Sequence, residues 1–366
     1  MTRAFGNCSG SLKTARKSVI FSPYARHPLA DYVTMRTLSQ GSGPLLSDPS
    51  ADRARTFFAG KNRKLSDKRT TVAEAVSRLV NDGDYLAIGG FGSDRIPTAV
   101  VHEILRQGKQ KLRFSGHTAT HDFQILCAGN LMGRGQMLAA VDVAYVVGLE
   151  ARGLSPQARR VMESGAVVCT EWTNYALAVR YKAAAMGVPF LPARSMLGTD
   201  TFRYSGAREI ECPFTGERLV ALPALYPDVA AIHVHEADCH GNCRIRGTTV
   251  ADLDLARAAK KLIITCERLI ATDEIRGDPT RTVIPFFCVD AVCEVPFGSY
   301  PANMPYEYFS DEEHLRTWRQ VECDPAQLRA FLDKHIYGVQ TFAEYLTHFG
   351  GLEKMRQLRR TEFLLD

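Results

Sequence analysis

From Thr71 onward, short apolar runs alternate with segments of helical period. That alternation confines the chain to an α/β architecture, a largely parallel sheet with helices on both faces. Thr71-Val-Ala-Glu74 has capping-box spacing. Val72, Ala75, Val76, Leu79 and Val80 follow at helical intervals, and Asn81-Asp-Gly83 supplies the stop. Tyr85-Leu-Ala-Ile88 reads as a buried strand running into Gly89-Gly90, and Pro97 opens a helix through Val101, Ile104 and Leu105 that ends near Gly108. Apolar runs at 143–147, 166–169, 188–191, 229–234, 262–266 and 288–293 predict further strands. From Ser310, the spacing of Leu328, Phe331, Leu332, Ile336, Phe342, Tyr345 and Leu346 predicts a helical C-terminal lid on that sheet. One domain over 65–366 follows.

The chain ahead of this pattern differs in kind. Residues 1–64 are rich in Ser, Arg, Gly and Pro and keep no helical or alternating period. They hold 11 Lys/Arg against 3 Asp/Glu, so the net charge of +5 divides into a basic leader and a body with 34 Lys/Arg against 37 Asp/Glu. A disordered leader over 1–64 is expected; its composition suits an organelle transit peptide, a flexible extension and translated upstream sequence alike. The slightly acidic body lacks a general basic footprint, so nucleic acid is not an expected partner. The most apolar stretch, 219–234, is broken by Pro223, Pro227 and Asp228, so neither a membrane span nor a membrane partner is expected. The ten Cys lie mostly in apolar runs such as Ala166-Val-Val-Cys169, and read as buried thiols of a reducing, cytoplasmic setting.

The stretch with most chemical content is Asp82-Gly-Asp-Tyr-Leu-Ala-Ile-Gly-Gly-Phe-Gly-Ser-Asp-Arg-Ile-Pro97. Paired glycines at the carboxyl end of a buried strand permit unusual backbone angles and close approach of a ligand, with amide groups free to face an oxyanion. Further on, His233, His235, Cys239, His240 and Cys243 are dense enough to suggest metal ligands, but Ala231-Ile-His-Val-His235 alternates as a strand, and no metal is expected. His117 and His121 in Gly116-His-Thr-Ala-Thr-His-Asp122 are either acyl-contacting or plain loop residues. Glu163, at the end of a helical segment, reads as a solvated acid.

The glycine stretch resembles the amino-terminal motif of the alpha subunit of family I coenzyme A transferases. The resemblance continues in order through Gly187-Val-Pro-Phe-Leu-Pro192, Met196-Leu-Gly-Thr199, Ala237-Asp-Cys-His-Gly-Asn242, Thr265-Cys-Glu267 and Asp273-Glu-Ile-Arg-Gly-Asp-Pro279. It covers residues 68 to about 300, and its later blocks are most similar to glutaconate coenzyme A transferase. It implies the CoA-transferase (NagB/RpiA-like) fold, a coenzyme A thioester and a carboxylic acid as substrates, and no permanently bound cofactor. It also implies a beta subunit that carries the nucleophilic Glu, through which an acyl-glutamyl anhydride and a glutamyl-CoA thioester form. On this resemblance Gly89, Gly90, Phe91, Gly198 and Thr199 line the acyl site. Arg95, where many relatives have Gly, places a cation that could pair with a distal carboxylate. Glu150, after the run Val143-Ala-Tyr-Val-Val-Gly-Leu149, is the acid expected to reach the shared site from a strand end. Two other readings stay open: the alpha half of a CoA-thioester or ring-opening hydrolase with Glu150 as base, and a non-catalytic binding or scaffolding member.

Overall fold

Side chains alternate along Tyr85–Ile88, and that alternation sets the layers of the molecule. Leu86 and Ile88 fall on one face, Tyr85 and Ala87 on the other, and all four are buried, so both faces need cover. A computed structural model, which describes residues 40–133, 135–145 and 153–365, shows that cover. In chain order the strands are β1 Tyr85–Ile88, β2 Leu112–Gly116, β3 Leu138–Val143, β4 Val168–Glu171, β5 Phe190–Ala193, β6 Arg208–Glu211, β7 Arg218–Pro223, β8 Val229–Ala237, β9 Cys243–Arg244, β10 Lys261–Leu269 and β11 Ala291–Glu294. Among the described residues, seven of these run parallel in the order β11-β10-β8-β1-β2-β3-β4, and β9 pairs antiparallel with β8. β5, β7 and β6 form a separate antiparallel sheet.

Each parallel strand feeds two cores. Leu86, Ile88, Val229, Ala231 and Ile263 pack with the helices Val72–Leu79, Thr98–Arg106 and His121–Gly129. Tyr85, Ala87, Ala230, Ile232 and Ile264 pack with Asn174–Met186, Asp252–Ala258 and the small sheet. The helix Val72–Leu79 carries the full capping box, Glu74 N–H to Thr71 Oγ1 at 3.1 Å and Thr71 N–H to Glu74 Oε2 at 3.3 Å. The C-terminal helices Glu312–Val321, Pro325–Leu332, Phe342–His348 and Gly351–Glu362 form an outer layer on the first of these cores. Their rings meet the helices beneath: His102 lies 4.5 Å from Tyr345, and His121 lies 4.8 Å from Trp318. The expected lid is thus a layer seated on helices.

That layer encloses an acid. Glu322 accepts from Trp318 Nε1 and Ser155 Oγ, both at 2.8 Å through Oε1, while Oε2 is buried with no hydrogen-bond partner among the described residues. Burial pushes its carboxyl up to about 7. Because the folded value lies above the unfolded one, this group stabilises the fold below the unfolded pKa, and that contribution is lost as pH rises through about 7. Glu322→Gln should therefore be more stable than the parent at pH 8, by about 2–3 kcal/mol in urea melts, with the gap closing toward pH 5. An equal gap at both pH values would contradict this.

Three expectations are corrected. The first is the disordered leader: residues 40–64 are ordered, with a helix Ala51–Gly60 that Ser50 caps, and residues 1–39 lie outside the described residues. Ala54 seats this helix against Ala183, Ala184 and Tyr226, and Lys61 Nζ pairs with Asp290 at 2.9 Å. Two buried alanines and the partly buried Phe58 dock it, with Lys61 just past its end, too little apolar surface to leave a period in the sequence. The second concerns the run at 143–147: the strand ends at Val143, and Tyr145 has φ +77°. The third is the run at 188–191, which belongs to the small antiparallel sheet.

Candidate active site

Chain order reverses beside β1. From β1 the sheet proceeds outward through β2, β3 and β4 on one side and through β8, β10 and β11 on the other, so the loops leaving β1 and β8 part at the carboxyl edge. Such a reversal leaves a crevice where open α/β sheets hold ligands. Gly89 and Gly90 stand there. Gly90 has φ +87°, and a Cβ on it would collide with Asp94 O; a Cβ on Gly89 would lie 2.7 Å from Asp252 Oδ1. No larger residue fits either position without moving its surroundings.

The turn is held from below. Gly90 N–H donates to Asp252 Oδ1 at 2.7 Å, and Asp252 Oδ2 accepts from Arg95 Nη2 at 2.7 Å. Asp252 opens the helix Asp252–Ala258, and both members of the ion pair are buried. Arg95 also donates to Thr248 O. The remaining amides of the turn are used as well: Gly89 donates to Ala231 O at 2.9 Å, Phe91 to Asp94 O at 3.1 Å and Gly92 to Thr118 O at 3.0 Å. The expectation of free amides for an oxyanion is therefore corrected at residues 89–92. What the turn offers is a backbone fixed in place, with the space that two Cβ atoms would need filled by Asp252, Ile232 and Asp94.

The loop after β2 is laced to it. Thr120 Oγ1 donates to Gly92 O at 2.7 Å, and the His117 ring lies 5.1 Å from that of Phe91. Burial holds the His117 imidazole below its usual pKa, so the ring is neutral near pH 7. Asp122, buried at the start of the helix His121–Gly129, is pushed up to about 6 by the same effect. Arg95, Thr118 and Tyr145 have φ of +60°, +58° and +77°. These are non-glycine residues in left-handed backbone at the exits of three adjacent strands, a strain of about 1–3 kcal/mol each that a packed surround must sustain.

The predicted site residues separate into three groups. Gly89, Gly90 and Phe91 are together, joined by His117. Arg95 belongs to the same loop but turns inward: it is fully buried on Asp252, so the expected pairing with a substrate carboxylate is corrected. Gly198 and Thr199 lie elsewhere. Thr199 caps the short helix Asp200–Arg203, whose following residue, Tyr204, accepts from Glu171 N–H at 3.2 Å. Glu171 ends β4, three strands from β1, or about 14 Å across the sheet. Glu150 lies outside the described residues. Glu163 pairs with Arg159 at 2.8 Å on the helix Pro156–Glu163.

Sequence reading misses Asp252, because Asp252-Leu-Asp-Leu255 looks like an ordinary helix start. It also misses a buried chain of polar groups beside the crevice. His233 Nδ1 meets Thr265 Oγ1 at 2.8 Å and its Nε2 meets Glu267 Oε1 at 2.7 Å; Tyr308 donates to the same oxygen at 2.8 Å. Burial raises the Glu267 carboxyl, but the hydrogen bond and charge of His233 outweigh it and hold the pKa below its usual value. His235 donates from Nε2 to Pro305 O at 2.7 Å and accepts at Nδ1 from Arg246 N–H, so it is neutral, with burial pushing its pKa down to about 4. Cys239 meets Thr272 and His240 meets Ser66 O. Among the described residues no group of three or more His, Cys, Asp or Glu could hold a metal ion, and no helix is long and apolar enough to cross a membrane.

Known proteins share this fold. The model of the family described as coenzyme A transferase matches residues 69–295. One chain of the glutaconate CoA-transferase of Acidaminococcus fermentans is 33% identical over 306 residues, covering 78% of this chain and 92% of that protein. The crystal structure of that glutaconate transferase superposes with a TM-score of 0.72 at 32% identity, over 77% of this chain and 93% of that one. One chain of the 3-oxoadipate CoA-transferase of Pseudomonas knackmussii is 34% identical over 280 residues, 75% of this chain and 95% of that protein. The IpdA subunit of the cholesterol ring-cleaving hydrolase of Mycobacterium tuberculosis is 27% identical over 300 residues, 79% of this chain and 100% of that protein.

Proposed function

Because the chain belongs to the coenzyme A transferase family, we propose that it is the alpha subunit of a two-subunit acyl-CoA:carboxylate CoA-transferase. A beta-type partner supplies the nucleophilic Glu. The observation that carries this reading is the Gly89–Gly90 turn, fixed by Asp252 at the point where strand order reverses. Coenzyme A thioester and acceptor acid are substrates here, and the acyl carbonyl approaches the carboxyl edge of β1 at this turn, with Phe91 and His117 beside it. Phe91 packs against an uncharged His117 ring, so these two side chains bring no charge to the acyl group. The acids beside the turn are committed elsewhere: Asp94 Oδ1 accepts from Asn303 Nδ2 at 2.6 Å, and Asp252 is bound as described. This favours a nucleophile from another polypeptide.

The purified chain is accordingly expected to show no CoA transfer, and a beta-type partner should restore ping-pong turnover. Robust ping-pong transfer by the chain alone would overturn the reading.

The likeness to a subunit of a ring-cleaving hydrolase, over 79% of this chain, favours a second reading, an alpha half in which Glu150 activates water. Glu150→Gln separates the two in the assembled enzyme. Transfer should fall by a modest factor, because the covalent work lies with the partner; hydrolysis should fall about 10²- to 10⁴-fold through loss of a general base. Turnover per acyl-CoA, with and without acceptor acid, checks both.

A further inference from the structure

We propose that a cavity behind the helix Ala51–Gly60 is a second binding site, for a small organic anion with a flat apolar body. The cavity has a volume of about 320 Å³, at the lower end of the range for small-molecule sites. Its floor is made of alanines from three helices, among them Ala54, Ala184 and Ala256, with the Phe58 ring beside them. Its charged lining is of one sign, Arg55, Lys61, Arg63 and Arg257, with no acid among the lining residues.

These cations are not equally occupied. Lys61 is spent on Asp290 and on the carbonyls of Lys260 and Cys288, and Arg55 pairs with exposed Asp52. Among the described residues Arg63 and Arg257 have no carboxylate partner, and both are exposed at the rim. Tyr226 adds a second, independent sign of a ligand. It lines the cavity, is 4% exposed, and its hydroxyl is buried with no hydrogen-bond partner among the described residues. A buried hydroxyl left without a partner is costly, and an anion held by the rim guanidiniums would satisfy it.

The site is separate from the acyl crevice. Tyr226 precedes β8, so the cavity opens at the amino edge of the sheet, whereas Gly89 is level with Ala231 of the same strand, five residues or about 16 Å further on. Its outer wall, the helix Ala51–Gly60, also lies ahead of the residues that the family shares.

The test is titration of the full-length chain with 1-anilinonaphthalene-8-sulfonate, an aromatic monoanion, followed by fluorescence and calorimetry. One equivalent should bind, and the uncharged N-phenyl-1-naphthylamine should bind at least 10-fold more weakly. Arg257→Glu should weaken the sulfonate at least 10-fold and Tyr226→Phe several-fold, with thermal melts confirming that both variants fold. Arg356→Glu, on the distant helix Gly351–Glu362, should change nothing. Equal binding of the neutral probe, an unchanged Arg257→Glu, or an equal loss in Arg356→Glu would each overturn the proposal.

Discussion

Gly90→Val should lower kcat/KM of the assembled enzyme at least 100-fold while leaving a folded chain. Two costs meet at this position. The backbone angle of +87° is one that a β-branched residue does not hold, and the added carbon would run into Asp94 O. Relief requires the loop to move by about 1 Å, a displacement that in a positioned site is worth on the order of 10²-fold in rate. The core of β1 is untouched, since Leu86 and Ile88 lie upstream, so circular dichroism should be unchanged. Full activity in the variant would mean that the turn is structural only.

Asp252→Ala should be the most destabilising single change near the site, by about 3–5 kcal/mol, because it leaves the fully buried Arg95 guanidinium without its counter-charge. It also strips Gly90 N–H of its acceptor. The two losses can be told apart. Replacing both partners by apolar residues of similar size, Arg95→Met with Asp252→Leu, removes the uncompensated charge and should recover most of the urea midpoint. Activity should stay low in the double variant, because nothing then fixes Gly90. Recovery of both stability and turnover would show that the carboxylate serves the fold alone.

The layered architecture is legible in the sequence because β1, β8 and β10 are apolar on both faces, and because the capping box at Thr71 and the C-terminal apolar spacing are local features. β2 and β3 are hidden for the opposite reason. Asp142 interrupts β3 yet is fully buried, satisfied by the Tyr85 and Thr170 hydroxyls, by Trp172 Nε1 at 2.6 Å and by Arg180 at 3.2 Å. Ser115 in β2 meets Tyr181 OH at 2.6 Å. Partners that lie tens of residues away leave no mark on the apolar pattern, so the pattern places the third strand too late, at 143–147 where β3 is Leu138–Val143. At the site, the glycine pair is legible because only glycine can stand there. The direction of Arg95 is not, since a cation on a loop reads the same whether it meets substrate or a buried acid 157 residues on.

The outermost strand β11 has consequences for how the protein can be shortened. Its free side is closed by the segment 68–70, where the family match begins: Thr70 N–H donates to Val292 O at 3.0 Å, and Val292 N–H donates to Lys68 O at 2.9 Å. A fragment trimmed to start at residue 71 would uncover that row of amides and carbonyls and turn a closed border into a template for another chain. Fragments meant for expression or crystallisation should therefore begin ahead of Lys68, and ahead of Ser50 if the Lys61–Asp290 tie to the same border is to be kept with its helix.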